Sequence, residues 1–560
     1  MDLTRAEKFP WNYYLLLPLI IAAIIVSSPS QTTGEQKNNS QFILIADTDY
    51  QSLAPGELLS LINSLSEKNA LSSINIIEPL PDTVLPPDMA SPAFLWEDEA
   101  NTTAWLITIK INNKFFLKGL FNKSWWIPEK ETWNRLKKAA GKNDIEVVIE
   151  GIGGWTGREI ISRDSVFLRF SEDKVNAKLM FMRKPLPFLK AKKNPEKTSL
   201  LLGDPGSYKA PEPVLTNPPI CANCHTYSLD GRHMAIDMDY GGDKGAFLYT
   251  HMNKEVVIEN TLIYSWQEII PQKPATYNMG LFARISPDGR FVAGTVNEIS
   301  VFVMMDDLFF SQLFYPATGR IAIFDTRTKH FSLLPGASLD SRVQTSPSWS
   351  PDGKTILFCA VPTNPELIQN VVAKEILKES SKQNISDLNK KYPVQFDIYA
   401  LPFNHGNGGQ AKPLIGASHN GYSNYFPRYS PNGKWIVFTQ SPTGLVLQPD
   451  SNLVIIPSEG GEARSLNSNQ AIMNSWHSWS PNSKWMVFTC KANSPYTELY
   501  LTHIDDQGVS SPGIRLFRFS SNELAAMVPE FVPRHSELPE KIIFGSLENA
   551  KKKSMAIDGR

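Results

Sequence analysis

Ser346-Pro347-Ser348-Trp349-Ser350-Pro351-Asp352-Gly353-Lys354-Thr355-Ile356-Leu357-Phe358 (SPSWSPDGKTILF) decides the fold of this 560-residue chain. An aromatic strand runs into a Pro-Asp-Gly turn and an apolar strand returns. Pro351 presets φ at the first turn position, Asp352 closes the turn through its side chain, and Gly353 takes the left-handed position. The unit recurs as CHTYSLDGRHMAI from Cys224, FARISPDGRFVAG from Phe282, FPRYSPNGKWIVF from Phe426 and WHSWSPNSKWMVF from Trp476. A degenerate copy, VPEFVPRHSELPEKIIF, starts at Val528. The turn serines are Ser228, Ser286, Ser350, Ser430 and Ser480, with Val532 in the last copy. One hairpin cannot bury both its faces, so copies must stack radially to make a core. Six copies predict six blades over residues 221–546.

These S-P-D-G turns closely resemble the repeats of TolB-type β-propellers across residues 221–546. The resemblance implies a six-bladed propeller of the bacterial envelope whose face binds a peptide, a protein or an envelope polymer. In oligopeptidases such propellers precede an α/β-hydrolase domain. Here only a basic tail, 547–560, follows, with no G-x-S-x-G elbow, so hydrolase activity is not expected. The widest spacing between turns contains Asn364–Lys391, whose apolar residues recur at helical spacing behind Pro365; a helical insertion in blade three is predicted.

Cys221-Ala222-Asn223-Cys224-His225 adds a chemistry to the first copy. C-x-x-C-H is the spacing of c-type haem attachment: Cys221 and Cys224 would form the thioethers and His225 would ligate the iron. One haem c is therefore expected. A thioredoxin-like redox motif needs a helix N-terminus, but Pro218-Pro219 precede this stretch and a hairpin follows. A zinc site lacks obvious partners, since Cys359 and Cys490 stand alone in apolar strands. A disulfide between residues three apart is geometrically awkward. Aligned on the turn serine, His225 matches Ala283, Pro347, Pro427, His477 and Pro529, which puts the motif on the inner strand of blade one. Met238 and His477 are the candidates for the opposite iron position, followed by His233, Met234 and His419; an open position would allow haem-dependent redox activity.

Asp237, Asp239 and Asp243 resemble part of a calcium loop, but position twelve is Leu248, so a turn stabilised by acidic side chains is the reading. The glycine-rich Asn404–Gly409 lacks a following helix signal and reads as a loop.

Net charge of −1 and a pI of about 6.8 give no field for nucleic acid. Tyr13–Val26 is apolar behind Arg5 and Lys8, so residues 1–30 read as a signal sequence or an N-terminal membrane anchor. Either places the remainder on the periplasmic side of a bacterial envelope, inner-membrane anchored or secreted. Residues 31–75 read as a short α/β segment, and 76–185, rich in strands and in Trp96, Trp105, Trp125, Trp126 and Trp133, resembles an immunoglobulin or fibronectin III-like sandwich. Residues 186–220, rich in Lys and Pro, read as a linker. The resulting expectation is an all-β, extracytoplasmic haem c-binding propeller in electron transfer, with a redox partner protein or envelope component. The alternative is a non-redox scaffold of the same fold.

Overall fold

The computed structural model describes residues 24–27 and 41–545, apart from 48–49, 51, 155–156, 219–221, 241–242, 270–278, 299, 303–307, 310–313, 373–389, 445–446 and 534–536. The chain divides into two compact units. One holds the residues up to Val175 with Pro205–Lys209 and Ser511–Phe517; the other holds Asn176–Asp204, Ala210–Ser510 and the residues from Arg518 onward.

The larger unit is built on six four-stranded antiparallel sheets, with two further two-stranded pairs. The first pairs Ala222–Tyr227, His233–Tyr240, Asp243–His251 and Ile263–Ser265 in that order. The next four begin with Met279–Ile285, Arg342–Trp349, Ser423–Tyr429 and Ser475–Trp479. In the sixth, Ala525–Phe531 pairs with Leu179–Lys184, which carries Ser199–Gly203 and then Glu212–Thr216 outward. Each first strand packs against the first strand of the next sheet, and Ala222–Tyr227 packs against Ala525–Phe531. The first strands therefore form a ring, and its sixth sheet joins strands that come before the first repeat to one from the last.

That closure corrects two expectations. The segment 186–220 is not a linker, because two of its stretches are strands of the sixth sheet. The last repeat copy supplies only one strand of that sheet; Lys541–Phe544, read as its returning strand, instead pairs in parallel with Glu255–Ile258. The repeat pattern marked first strands and turns, and the outer strands of the sixth sheet carry neither. The insertion in the third sheet begins as predicted with a helix, Pro365–Val372, after which 373–389 lie outside the described residues.

The hairpin turns work as their residue types demand. Ser228 Oγ accepts from the His233 amide at 3.0 Å and donates to Asp230 Oδ1 at 2.6 Å. Ser430 repeats this with the Trp435 amide (3.0 Å) and Asn432 (2.7 Å), and Ser480 with the Trp485 amide (2.9 Å) and Asn482 (2.6 Å). The left-handed position is Gly231, Gly289, Gly353 and Gly433 in four turns, but Ser483 with φ 61° in the fifth. The aromatic residues before the turns lie between sheets: Trp349 Nε1 donates to the Arg284 carbonyl at 2.9 Å, and Trp479 Nε1 to that of Arg428 at 3.3 Å.

The smaller unit holds a mixed sheet. Gln41–Ala46 runs parallel to Lys114–Phe121, which pairs antiparallel with Thr102–Ile111, followed by Ile145–Gly153 and Glu159–Phe170. Glu159–Phe170 also takes parallel partners, Ser66–Ser73 and Thr83–Leu85. Helices Pro55–Asn63 and Lys130–Ala140 bury Leu58, Ile62, Trp133 and Leu136. Parallel pairs and helices depart from the immunoglobulin-like pattern expected over 76–185. Trp96, Trp126 and Trp133 are buried as expected, whereas Trp105 and Trp125 are half-buried. Residues 1–23 lie outside the described residues; Ile24–Ser27, read as the end of a leader, forms an edge strand against Gln41–Ala46. Among the described residues no helix is long and apolar enough to cross a membrane.

Candidate functional site

The first strands of sheets one to five each carry a register break just before their turn-proximal half. An extra residue there bends the strand and re-aims its side chains. Phe282, Ser346, Phe426 and Trp476 take left-handed φ of 62°, 55°, 54° and 47° at this position, as does Val528 in the sixth sheet at 48°. Such φ values are costly for residues with a Cβ and persist only where the surroundings hold them. Three of these side chains meet at the centre of the ring. Phe426 stacks on Trp476 with centroids 4.7 Å apart, and Phe282 lies 5.4 Å from Phe426. Cys224 occupies the same register in the first sheet and is buried.

The irregular backbone is capped from the second strand of the preceding sheet, nine residues after the turn serine. Asp237 Oδ2 accepts from the Ala283 amide at 3.1 Å and Thr295 Oγ1 from the Ser346 amide at 3.3 Å, and Cys359 holds the same place beside the Phe426 backbone. Thr439 Oγ1 lies 3.3 Å from Ser475 Oγ. Burial pushes the Cys359 thiol up to about 12, so this cysteine is an inert cap. Burial likewise pushes the Asp237 carboxyl up to about 7, against the pull of the Ala283 amide and Arg284.

One residue further on lie His225 and His477. His225 Nε2 is 3.1 Å from the Met180 carbonyl, and His477 Nε2 is 3.0 Å from the Val437 carbonyl. Both carbonyls belong to the second strand of the preceding sheet, so the two rings make the same inter-sheet bond. Both are fully buried. Burial, then the charge of Arg428, holds the His477 imidazole down to about 3, so it is neutral and Nε2 is the protonated donor.

The following register carries the charge. Arg284 Nη1 donates to Glu530 Oε1 at 2.6 Å, Arg428 Nη2 donates to the same oxygen at 2.5 Å, and Ser478 Oγ donates to Oε2 at 2.8 Å. Burial opposes ionisation of Glu530, but Arg428 and Arg284 outweigh it and hold the carboxyl down to about 2. Burial, with the like charge of Arg284, lowers Arg428 to about 10 despite Glu530. These residues and the aromatic layer line a pocket of about 20 Å³ at the centre of the ring. Neither Cys224 nor His225 is among its lining residues.

The structure thus disperses the residues singled out from sequence. Cys221 lies outside the described residues. Cys224 and Met238 are buried in one apolar cluster, with Met234 beside them. His477 is committed to its own sheet boundary rather than brought to His225. His233 stacks on Tyr249, with centroids 5.4 Å apart, and His419 Nδ1 pairs with Asp397 at 3.0 Å. Asp243 holds a turn through the Gly245 amide (2.8 Å) and Ser265 (2.5 Å), apart from the buried Asp237. Asn404–Gly406 is a loop turn. Among the described residues no group of three His, Cys, Asp or Glu side chains is gathered as for a metal ion. Arg284, Arg428 and Glu530 escaped the sequence reading. The repeat alignment held their signal: the second residue past Cys224 is Thr226, Arg284, Ser348, Arg428, Ser478 or Glu530, a position of small hydroxyls interrupted by charge.

No protein-family model matches the chain, and no curated protein matches it. Among solved structures it is similar to TolB from Acinetobacter baumannii, with 14% identity over 72% of this chain and 86% of that one at a TM-score of 0.40. It is also similar to an oligogalacturonate lyase in complex with manganese, with 10% identity over 60% of this chain and 72% of that one at a TM-score of 0.33. Superpositions this loose add nothing to the fold read from the strand pairing.

Proposed function

We propose that the chain is a binding scaffold of the bacterial envelope, built on a six-bladed TolB-like propeller and without redox chemistry of its own. The observation that carries this reading is the equivalence of His225 and His477. Each spends Nε2 on a carbonyl of the neighbouring sheet, so the imidazole of the C-x-x-C-H stretch has the same structural task as one with no cysteine before it. The closed sequence of contacts among six first strands supports the blade number. The S-P-D-G turns and the apolar stretch Tyr13–Val26 support the family likeness and the periplasmic side.

The partner is then a protein or envelope polymer engaged at the turn end of the first strands. A photo-crosslinking residue at Lys354 or Lys434, both exposed on turns, should capture one and the same envelope component, while one at Glu212 on an outer strand should not. Equal capture at all three positions, or none, overturns the reading.

A second reading, one haem c on Cys221 and Cys224 with His225 as iron ligand, is favoured by the motif spacing itself. It requires the His225 ring to leave the Met180 carbonyl and His225 and Cys224 to come out of burial. Covalent haem on protein matured with haem c machinery, abolished by Cys221→Ala with Cys224→Ala, would establish it.

A further inference from the structure

The central charged layer is short of negative charge. Two guanidinium groups, Arg284 and Arg428, converge on the single carboxylate of Glu530, and both use only one nitrogen to reach it. Arg284 Nη1 also donates to the His225 carbonyl at 3.4 Å. Among the described residues the other N–H groups of both guanidiniums donate to no protein atom, although the Arg284 side chain is only 9% exposed. Asp237, a second carboxyl within the field of Arg284, accepts from the Ala283 amide. Ser478 is already spent on Glu530. None of these nitrogens is sealed off without a partner; both side chains line the central pocket, where an anion could accept charge-assisted bonds from both.

Space and lining agree with such an anion. Arg284, Arg428 and Glu530 line the same central pocket, whose volume of about 20 Å³ fits one water-sized occupant. A halide ion is of that size, and so is the tip of a carboxylate entering from the turn end. Burial of Arg428, then the like charge of Arg284, already lower the proton affinity of Arg428 despite Glu530, as expected where two cations share one carboxylate.

We propose that this layer is a binding site for one small monovalent anion, held by the free N–H groups of Arg284 and Arg428 beside Glu530. The inference does not depend on the identity of the scaffold's partner. Chloride is the free-ion source of this chemistry; a carboxylate presented by a bound peptide is the tethered source.

The test uses the full chain crystallised in sodium bromide, with anomalous scattering recorded at the bromine edge. An anomalous peak within hydrogen-bond reach of both Arg284 and Arg428 is expected. Loss of that peak on adding formate shows that a carboxylate takes the same place; a peak that formate leaves unchanged assigns the site to free halide. In solution, Tm should rise saturably with bromide against an equal ionic strength of fluoride. That rise should be steeper in Glu530→Gln, which removes the competing carboxylate, and lost in Arg428→Gln. If either variant does not fold, the wild-type map decides alone. No peak at the guanidiniums, together with identical melting in the two salts, overturns the proposal.

Discussion

The first and fifth sheets place histidine at the same register and use it for the same bond, yet only His225 follows a C-x-x-C. His477 follows a tryptophan whose ring stacks on Phe426, and its Nε2 still reaches back to the carbonyl of the preceding sheet. The comparison teaches that a five-residue pattern takes its meaning from its place in the repeat. Proline or alanine fills this register in the other four sheets, so the bond is a local device rather than a requirement of the fold. Around both rings the same charged layer provides the field, because Glu530 and the two arginines sit at the centre of the ring.

The widest break in the comparison would come from Glu530→Gln, which strikes both sides at once. Removing one partner from a buried ion network leaves uncompensated charge, with a loss of about 3–5 kcal/mol. Denaturant unfolding should show that loss; a change below about 1 kcal/mol would mean that solvent already screens the arginines.

Asp237 and Thr439 hold the same place on the second strands of sheets one and four, each facing the next sheet, and only Asp237 titrates. An unfolded Asp releases its proton near pH 4, whereas folded Asp237 does so at about 7. Its contribution is therefore present below about pH 4 and is lost as pH rises toward 7. Asp237→Asn should gain on wild type across that window, by at most about 4 kcal/mol, and Thr439→Val should show no such slope. Glu530 and His477 act in the opposite sense. Their folded pKa values, about 2 and about 3, are depressed, so the stability they contribute is lost on acidification.

The sharpest comparison is smaller in size. His225→Ala and His477→Ala each leave a buried carbonyl without its donor and should cost about 1–3 kcal/mol apiece. Matching losses in urea would support one shared task. A His225 variant with little loss of stability would separate the two and return His225 to a ligand's role.

How much of this was legible follows from where the signals lie. The turns were legible because each needs specific atoms: a serine hydroxyl, an Asp or Asn acceptor and a left-handed residue. The first strands followed from the turns. The sixth sheet was not legible, because Leu179–Lys184, Ser199–Gly203 and Glu212–Thr216 have no turn motif and lie before the first repeat. Leu179–Lys184 fell at the end of the expected sandwich, and the lysines and prolines around the other two gave the composition of a linker, although Leu179, Met180, Phe181 and Leu200 are fully buried. In the smaller unit, strand-like runs were read correctly, but their parallel pairing depends on chain paths that alternation does not encode. The histidine register came out of the alignment, whereas the bond made by each ring requires the carbonyl of another sheet. The charged layer was within reach, since one further step along the same alignment exposes Arg284, Arg428 and Glu530.

We propose that His225 serves the bond between sheets and not an iron ion. An intact mass of the mature protein, produced in a host with active haem c maturation, tests it most directly. The mass of the polypeptide alone is expected; a covalent haem adduct lost in Cys221→Ala with Cys224→Ala would overturn the proposal.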